Sequence, residues 1–94
     1  MATYVILSKL EAGSSDPVEF KKRAHKVSEK IEADCPHVEW KYSYATLGHY
    51  DVVDIVEATD PMQVKKAAMI IRSVGKAHTE TMAASPWPDF LNAL

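Results

Sequence analysis

Apolar and polar residues recur with two different periods along this chain, and together these periods predict six elements. Alternating or β-branched runs predict strands at 3–8, 38–47, 50–57 and 78–84, which share the compositions and lengths of strands. Apolar residues at helical spacing follow Asp16-Pro17 and again Asp60-Pro61. An Asp cap before a proline is typical of a helix start, so each pair predicts a helix, the first ending near 34–36 and the second before Gly75.

The order of these elements predicts the fold. It is β-α-β-β-α-β, an α+β ferredoxin-like arrangement with a four-stranded antiparallel sheet and both helices on one face. The strand at 50–57 is apolar on both faces apart from Asp54, which predicts a central strand covered on both sides. A second copy is the simplest cover for the other sheet face, so we expect a homodimer or higher homo-oligomer. Residues 1–85 form the domain, and the tail 86–94 is expected to pack on a neighbouring subunit.

Charge and cysteine content argue against several classes of function and of structural site. A net charge of −2 does not favour binding to nucleic acid or to anionic membranes. The one cysteine, Cys35, excludes an intrachain disulfide and a cysteine-based zinc cluster, and it fits a cytoplasmic location. No apolar run approaches the roughly 18 residues of a membrane span, and the residues after Met1 do not follow a signal-peptide pattern. We expect no cofactor and no metal.

A turn cluster at 11–17 and a tight reversal at Gly48-His49 are further predicted features. Around that reversal the chain resembles the GYD-domain family of small bacterial and archaeal proteins, and the resemblance covers nearly its whole length. The landmarks are 3–7 (TYVIL), 47–53 (LGxYDVV), 56–58 (VEA) and 75–81 (GxxxTET), where x marks a position outside the match. The resemblance implies the dimeric α/β-barrel superfamily and no established activity. The chain departs from the family pattern at His49, Asp54 and the tail that bears Trp87.

The same hairpin is similar to the effector-binding domain of leucine-responsive regulators, where it lies near amino-acid pockets between subunits. Six residues are therefore candidate ligand contacts: Gly48, His49, Tyr50, Asp51, Tyr42 and Tyr44. The alternative for Asp51 is structural, because carboxylates in turns commonly accept backbone N–H bonds. The alternative for the aromatic residues is a place in the core or an interface. Strict alternation would put Val38, Trp40, Tyr42, Tyr44 and Thr46 on one strand face.

Three residues are candidate acid–base groups: Asp54, His78 and His49. A carboxylate in a central strand is unfavourable unless it is paired or hydrated. Asp54 is therefore expected to bind a partner such as Arg72 or a histidine, or to line a wet cavity. His78 and Glu80 share a strand face and suit either an ion pair or two metal ligands, although two ligands alone make a weak metal signal.

The residues leave three functions open. The first is a small-molecule-binding or accessory domain of unknown ligand, acting as a homo-oligomer. The second is a cofactor-free enzyme of the dimeric-barrel type, a monooxygenase or an isomerase. The third is a structural subunit of a larger complex, which the apolar tail favours. No nucleophile, phosphate-loop or dinucleotide motif is present to identify an activity.

Overall fold

The computed structural model describes residues 1–12 and 16–94, and seven elements lie within them. In chain order they are β1 Ala2–Leu10, α1 Pro17–Asp34, β2 Glu39–Ala45, β3 Val52–Ala58, α2 Pro61–Val74, β4 Ala77–Ala84 and α3 Trp87–Asn92. Of the predicted turn cluster at 11–17, residues 13–15 lie outside the described residues.

The four strands form one sheet in the order β2-β3-β1-β4, and every neighbouring pair is antiparallel. Ile6 lies at the centre, opposite Asp54 of β3 and Thr81 of β4. This is the arrangement that a split β-α-β topology gives, and the predicted ferredoxin-like fold is confirmed.

One face of the sheet carries the hydrophobic core. Side chains alternate between faces along a strand, so Ile6 and its register partners point toward the helices. Ile6, Val56 and Ala58 are fully buried there against Val64 and Ala67 of α2. The helix α1 packs beside α2 over the same face. Both helices therefore cover one side of the sheet, as the handedness of the crossovers predicts.

Both helices begin at the predicted caps. Asp16 Oδ1 accepts a hydrogen bond from the Val18 backbone N–H at 2.9 Å, and Asp60 Oδ1 accepts one from Met62 at the same distance. Each cap satisfies a backbone donor that the first helical turn leaves without an intrahelical partner.

The connection between β2 and β3 is longer than predicted. The expected reversal at Gly48-His49 is instead a six-residue segment, 46–51, although Gly48 does adopt a positive φ of 130° as expected. Thr46 closes the segment, because its N–H and its hydroxyl donate to the carbonyls of Asp51 and Tyr50. These bonds replace ladder pairing, so β2 ends at Ala45, before the predicted limit.

A bulge in β2 overturns the predicted single aromatic face. Trp40 pairs with Val56, but Tyr42 pairs with Ile55, so Lys41 is an extra residue with no partner of its own on β3. One inserted residue reverses the side-chain parity. Trp40 therefore faces the helices, together with Ser43, whereas Tyr42 and the following tyrosine face the other way.

The sheet face away from the helices is open in the single chain. We call it the open face and define it by the outward residues Val5, Leu7, Tyr42, Tyr44, Val53, Ile55 and Met82. Tyr42 and Tyr44 are 59% and 54% exposed, and their rings stack at 6.3 Å. This apolar surface is the one that the sequence predicts to need a cover.

The tail forms a short helix that stands away from the core. The helix α3 has no buried residue, and Trp87 is 67% exposed. The Trp87 and Phe90 rings contact each other at 5.8 Å, so they make one exposed aromatic ridge.

Candidate functional site

The bulge at Lys41 builds a polar group around Asp54. Asp54 is 6% exposed and points to the helix side of β3. Its Oδ1 accepts a hydrogen bond from the Trp40 Nε1–H at 3.0 Å and another from the Ser43 hydroxyl at 2.6 Å. The same indole N–H also lies 3.0 Å from Ser43 Oγ. Without the bulge, Trp40 and Ser43 would lie on opposite faces, and only one of them could reach the carboxylate.

Asp54 lies in the wall of a pocket of about 330 Å³ between α1 and the sheet. Its walls are mainly apolar and include Phe20, Val27 and Ile31 of α1. Small-molecule sites commonly have this size and this composition. The expectation that Asp54 pairs with Arg72 or a histidine is not met, since Trp40 and Ser43 take that place. The sequence also suggested a cavity as the surroundings of Asp54, and Asp54 does line one.

The side chains of Ser8 and Cys35 also line this pocket. Ser8 is 2% exposed, and its hydroxyl has no hydrogen-bond partner among the described residues. Cys35 lies at the end of α1, where burial raises the pKa of its thiol. The thiol is therefore held in its neutral form and acts as a part of the apolar wall.

The candidate ligand residues of the hairpin lie elsewhere. Asp51 Oδ2 accepts the Leu10 backbone N–H at 2.8 Å, and the Asp51 N–H donates to the Ser8 carbonyl at 2.8 Å. Asp51 thus fixes the 46–51 segment to the end of β1. Its part in ligand binding stays a prediction.

His49 and Tyr50 form an exposed corner beside this attachment. Their rings meet edge to face at 4.9 Å, and the His49 carbonyl accepts the Lys9 ammonium at 3.0 Å. The Tyr50 hydroxyl donates to the Glu80 carboxylate on β4, and this bond raises the pKa of Tyr50. The corner is therefore tied to both β1 and β4.

The structure does not bring the three acid–base candidates together. His78 pairs with Lys9 on the face away from the helices and lines a shallow depression with Asp51, whereas Asp54 lies on the helix side. Among residues 1–12 and 16–94, no three His, Cys, Asp or Glu side chains are placed to hold a metal ion. No helix in these ranges is long and apolar enough to cross a membrane.

Sequence reasoning identified Asp54 but missed the groups that contact it. Trp40 was assigned to the wrong face, and Ser43 was not considered, because strict alternation does not allow for a bulge. Ser8 could have been found, since it has the same parity as Ile6 in β1 and therefore interrupts a buried apolar face.

Comparison with known proteins agrees with this fold. The GYD domain model matches residues 4–94. A protein of Thermus thermophilus named glutamine synthetase and cystathionine beta-lyase binding protein is 35% identical over 95 residues, which is 100% of this chain and 99% of that protein.

Two solved structures show the same fold at low identity. The feast or famine regulatory protein of M. tuberculosis, complexed with L-methionine, has a TM-score of 0.62 at 13% identity over 92% of this chain. This chain spans 51% of that regulator's length. A putative antibiotic biosynthesis monooxygenase of Caulobacter crescentus has a TM-score of 0.55 at 13% identity, with 90% of this chain and 92% of that one covered.

Proposed function

Because this chain belongs to the GYD-domain family, we propose that it is a homo-oligomeric accessory protein that binds a larger metabolic enzyme. The observation that carries the proposal is its end-to-end similarity to the Thermus protein, whose name states that it binds glutamine synthetase and cystathionine beta-lyase. The similarity covers 99% of the Thermus protein, so we place the proposed enzyme-binding surface on this fold.

Self-association through the open face is part of the proposal. Four strands about 4.8 Å apart, each with about seven residues rising 3.3 Å, present roughly 450 Å² of projected area. Two sheet faces of that size can pack against each other in layers about 10 Å apart. The open face carries the stacked rings of Tyr42 and Tyr44 on its edge strand β2, and tyrosine is common in interfaces.

We further propose that α3 packs on a neighbouring subunit. Its ridge of Trp87 and Phe90 is exposed in the single chain, and aromatic anchors of this kind supply much of the binding energy at interfaces. The hairpin candidates and the two tyrosines would then lie at or beside a subunit boundary. A ligand bound by the hairpin, if there is one, would contact both subunits.

Enzyme binding is tested with purified components. The protein is immobilised and titrated with glutamine synthetase, with cystathionine β-lyase and with one unrelated oligomeric enzyme, all from its own organism. The proposal predicts saturable binding of at least one of the first two enzymes and none of the third. Equal, non-saturable signals from all three enzymes, or no binding at all, would contradict it.

A variant that ends at Ala84 and therefore lacks α3 distinguishes a role of α3 in self-association from a role in enzyme binding. If α3 packs on a neighbouring subunit, this variant should form a smaller or weaker oligomer than the full chain at the same concentration. If it assembles normally but no longer binds the enzyme, α3 contacts the partner enzyme instead, and the proposed place of α3 is wrong.

The enzyme alternative rests on Asp54 alone. The likeness to the monooxygenase is 13% in identity and shows the fold only. Asp54 lines a mainly apolar cavity of the kind that acid–base chemistry needs, but neither His49 nor His78 lines that cavity. We therefore place the accessory role first.

A further inference from the structure

We propose that the pocket beneath α1 binds a small amine with an apolar body, and that the Asp54 carboxylate receives its ammonium group. The inference concerns the helix side of the sheet and does not depend on the accessory role, which uses the outer surfaces.

The first argument is the unequal use of the two Asp54 oxygens. Within the described residues, the hydrogen bonds to this carboxylate, from Trp40 and Ser43, both end on Oδ1. A carboxylate that is 94% buried costs several kcal/mol unless both oxygens are paired or hydrated. Oδ2 therefore keeps its full acceptor capacity for a donor inside the pocket.

The second argument is the unpartnered hydroxyl of Ser8. Ser8 pairs with Val52 while Asp54 pairs with Ile6, so Ser8 and Asp54 are diagonal neighbours on adjacent strands, about 7–8 Å apart. Both line the same pocket. Buried polar groups are nearly always hydrogen-bonded, so the buried Ser8 hydroxyl without a partner indicates a missing hydrogen-bonding group in this pocket. An ammonium group carries three donors and can supply both acceptors.

The walls define the rest of the ligand. The volume of about 330 Å³ is at the lower end of ordinary ligand sites, and the α1 side chains that face it are mainly apolar. Arg23 and Glu32 also lie in the wall of the pocket, and their opposite charges offset each other. The net charge of the pocket is that of Asp54, which disfavours an anionic ligand.

The test is a titration of ¹⁵N-labelled full-length protein with benzylamine, isobutylamine, benzyl alcohol and benzoate, observed by NMR. The chain has two tryptophans, Trp40 and Trp87. The indole N–H of Trp40 contacts Asp54 and reports on the pocket, whereas that of Trp87 on α3 is the internal control. At least one amine should shift the Trp40 signal saturably, bind about tenfold more tightly than benzyl alcohol and leave Trp87 unchanged. Benzoate should not bind.

Two variants separate charge from shape. Asp54→Asn keeps the shape of the side chain and should weaken amine binding about tenfold, since the charge-assisted bond is lost. Glu57→Gln is the matched control, because it makes the same chemical change in the same strand on the opposite face. It should bind amines like the wild type.

The proposal is overturned if neither amine shifts Trp40, if benzoate binds as well as benzylamine, or if Asp54→Asn binds benzylamine like the wild type. Should Asp54→Asn fail to fold, the comparison of benzylamine with benzyl alcohol on the wild-type protein decides. Equal affinities there would contradict a role for the carboxylate.

Discussion

Replacing Trp40 with phenylalanine should destabilise the protein strongly, because the indole N–H is one of only two groups that donate to Asp54 within the described residues. Phenylalanine keeps an aromatic ring against the core but removes the donor. The Ser43 hydroxyl would remain as the single partner of a carboxylate that is 6% exposed.

The magnitude follows from the type of bond. A hydrogen bond to a charged group contributes about 1.5–3 kcal/mol, and the smaller ring loses roughly 1 kcal/mol of apolar burial. We expect Trp40→Phe to lower the free energy of unfolding by about 2–4 kcal/mol, a large part of the 5–15 kcal/mol of a typical domain. Urea unfolding followed by far-ultraviolet circular dichroism measures this at one fixed protein concentration.

The chain offers a matched control in its other tryptophan. Trp87→Phe makes the same substitution at a site with no hydrogen bond to a buried acid and keeps an aromatic ring in the α3 ridge, so it should destabilise the protein less than Trp40→Phe does. In an Asp54→Asn background, Trp40→Phe should cost less than in the wild type, because the acceptor is then neutral. Equal losses for the two tryptophans, or no coupling between Trp40 and Asp54, would refute the proposed hydrogen-bond group.

Three further predictions concern groups outside this hydrogen-bond group. Glu80→Gln should lower the pKa of Tyr50 toward its usual value of about 10, because the hydrogen bond to the carboxylate holds the phenol proton in the folded protein. A titration of ¹³C-labelled tyrosine measures this pKa. An unchanged pKa would contradict the contact between Tyr50 and Glu80. Cys35 is 1% exposed and its pKa is raised by burial, so a thiol reagent should modify it far more slowly in the folded protein than in urea, and equal rates would contradict its burial. Gly75→Ala should lower the free energy of unfolding in urea by more than about 1 kcal/mol, since the added Cβ would overlap the Ile71 carbonyl. An unchanged free energy of unfolding would mean that the turn after α2 can move to make room for the Cβ.

Periodicity and caps predicted the fold because both are local signals with few alternatives. The Asp-Pro pairs at 16–17 and 60–61 start both helices as expected, and the split β-α-β order then restricts the topology to the observed one. The end of β2 and the start of β3, at the 46–51 segment, differ from the predicted limits for one reason. Side-chain bonds of Thr46 and Asp51 replace ladder pairing, and a hydrophobic pattern does not register them.

The candidate site was less predictable because it depends on one unpaired residue. Alternation through β2 assumes an unbroken ladder, and the bulge at Lys41 moves Trp40 from the open face to the helix side. Lysine is common on strand surfaces, so the residue type at position 41 does not predict a bulge. Asp54 was recognisable as an anomaly in an apolar strand, but its partners could be assigned only from the three-dimensional register.

Self-association through the open face is tested most directly by native mass spectrometry of the wild type beside Tyr44→Glu. Tyr44 is 54% exposed on the edge strand β2 of this face, so glutamate there leaves the core of the subunit intact but places a charge without a partner in the proposed interface. The wild type should have a mass that is an even multiple of 10.5 kDa, and Tyr44→Glu should be a folded monomer. A wild-type monomer, or a Tyr44→Glu variant that assembles as the wild type does, would contradict the role of the open face.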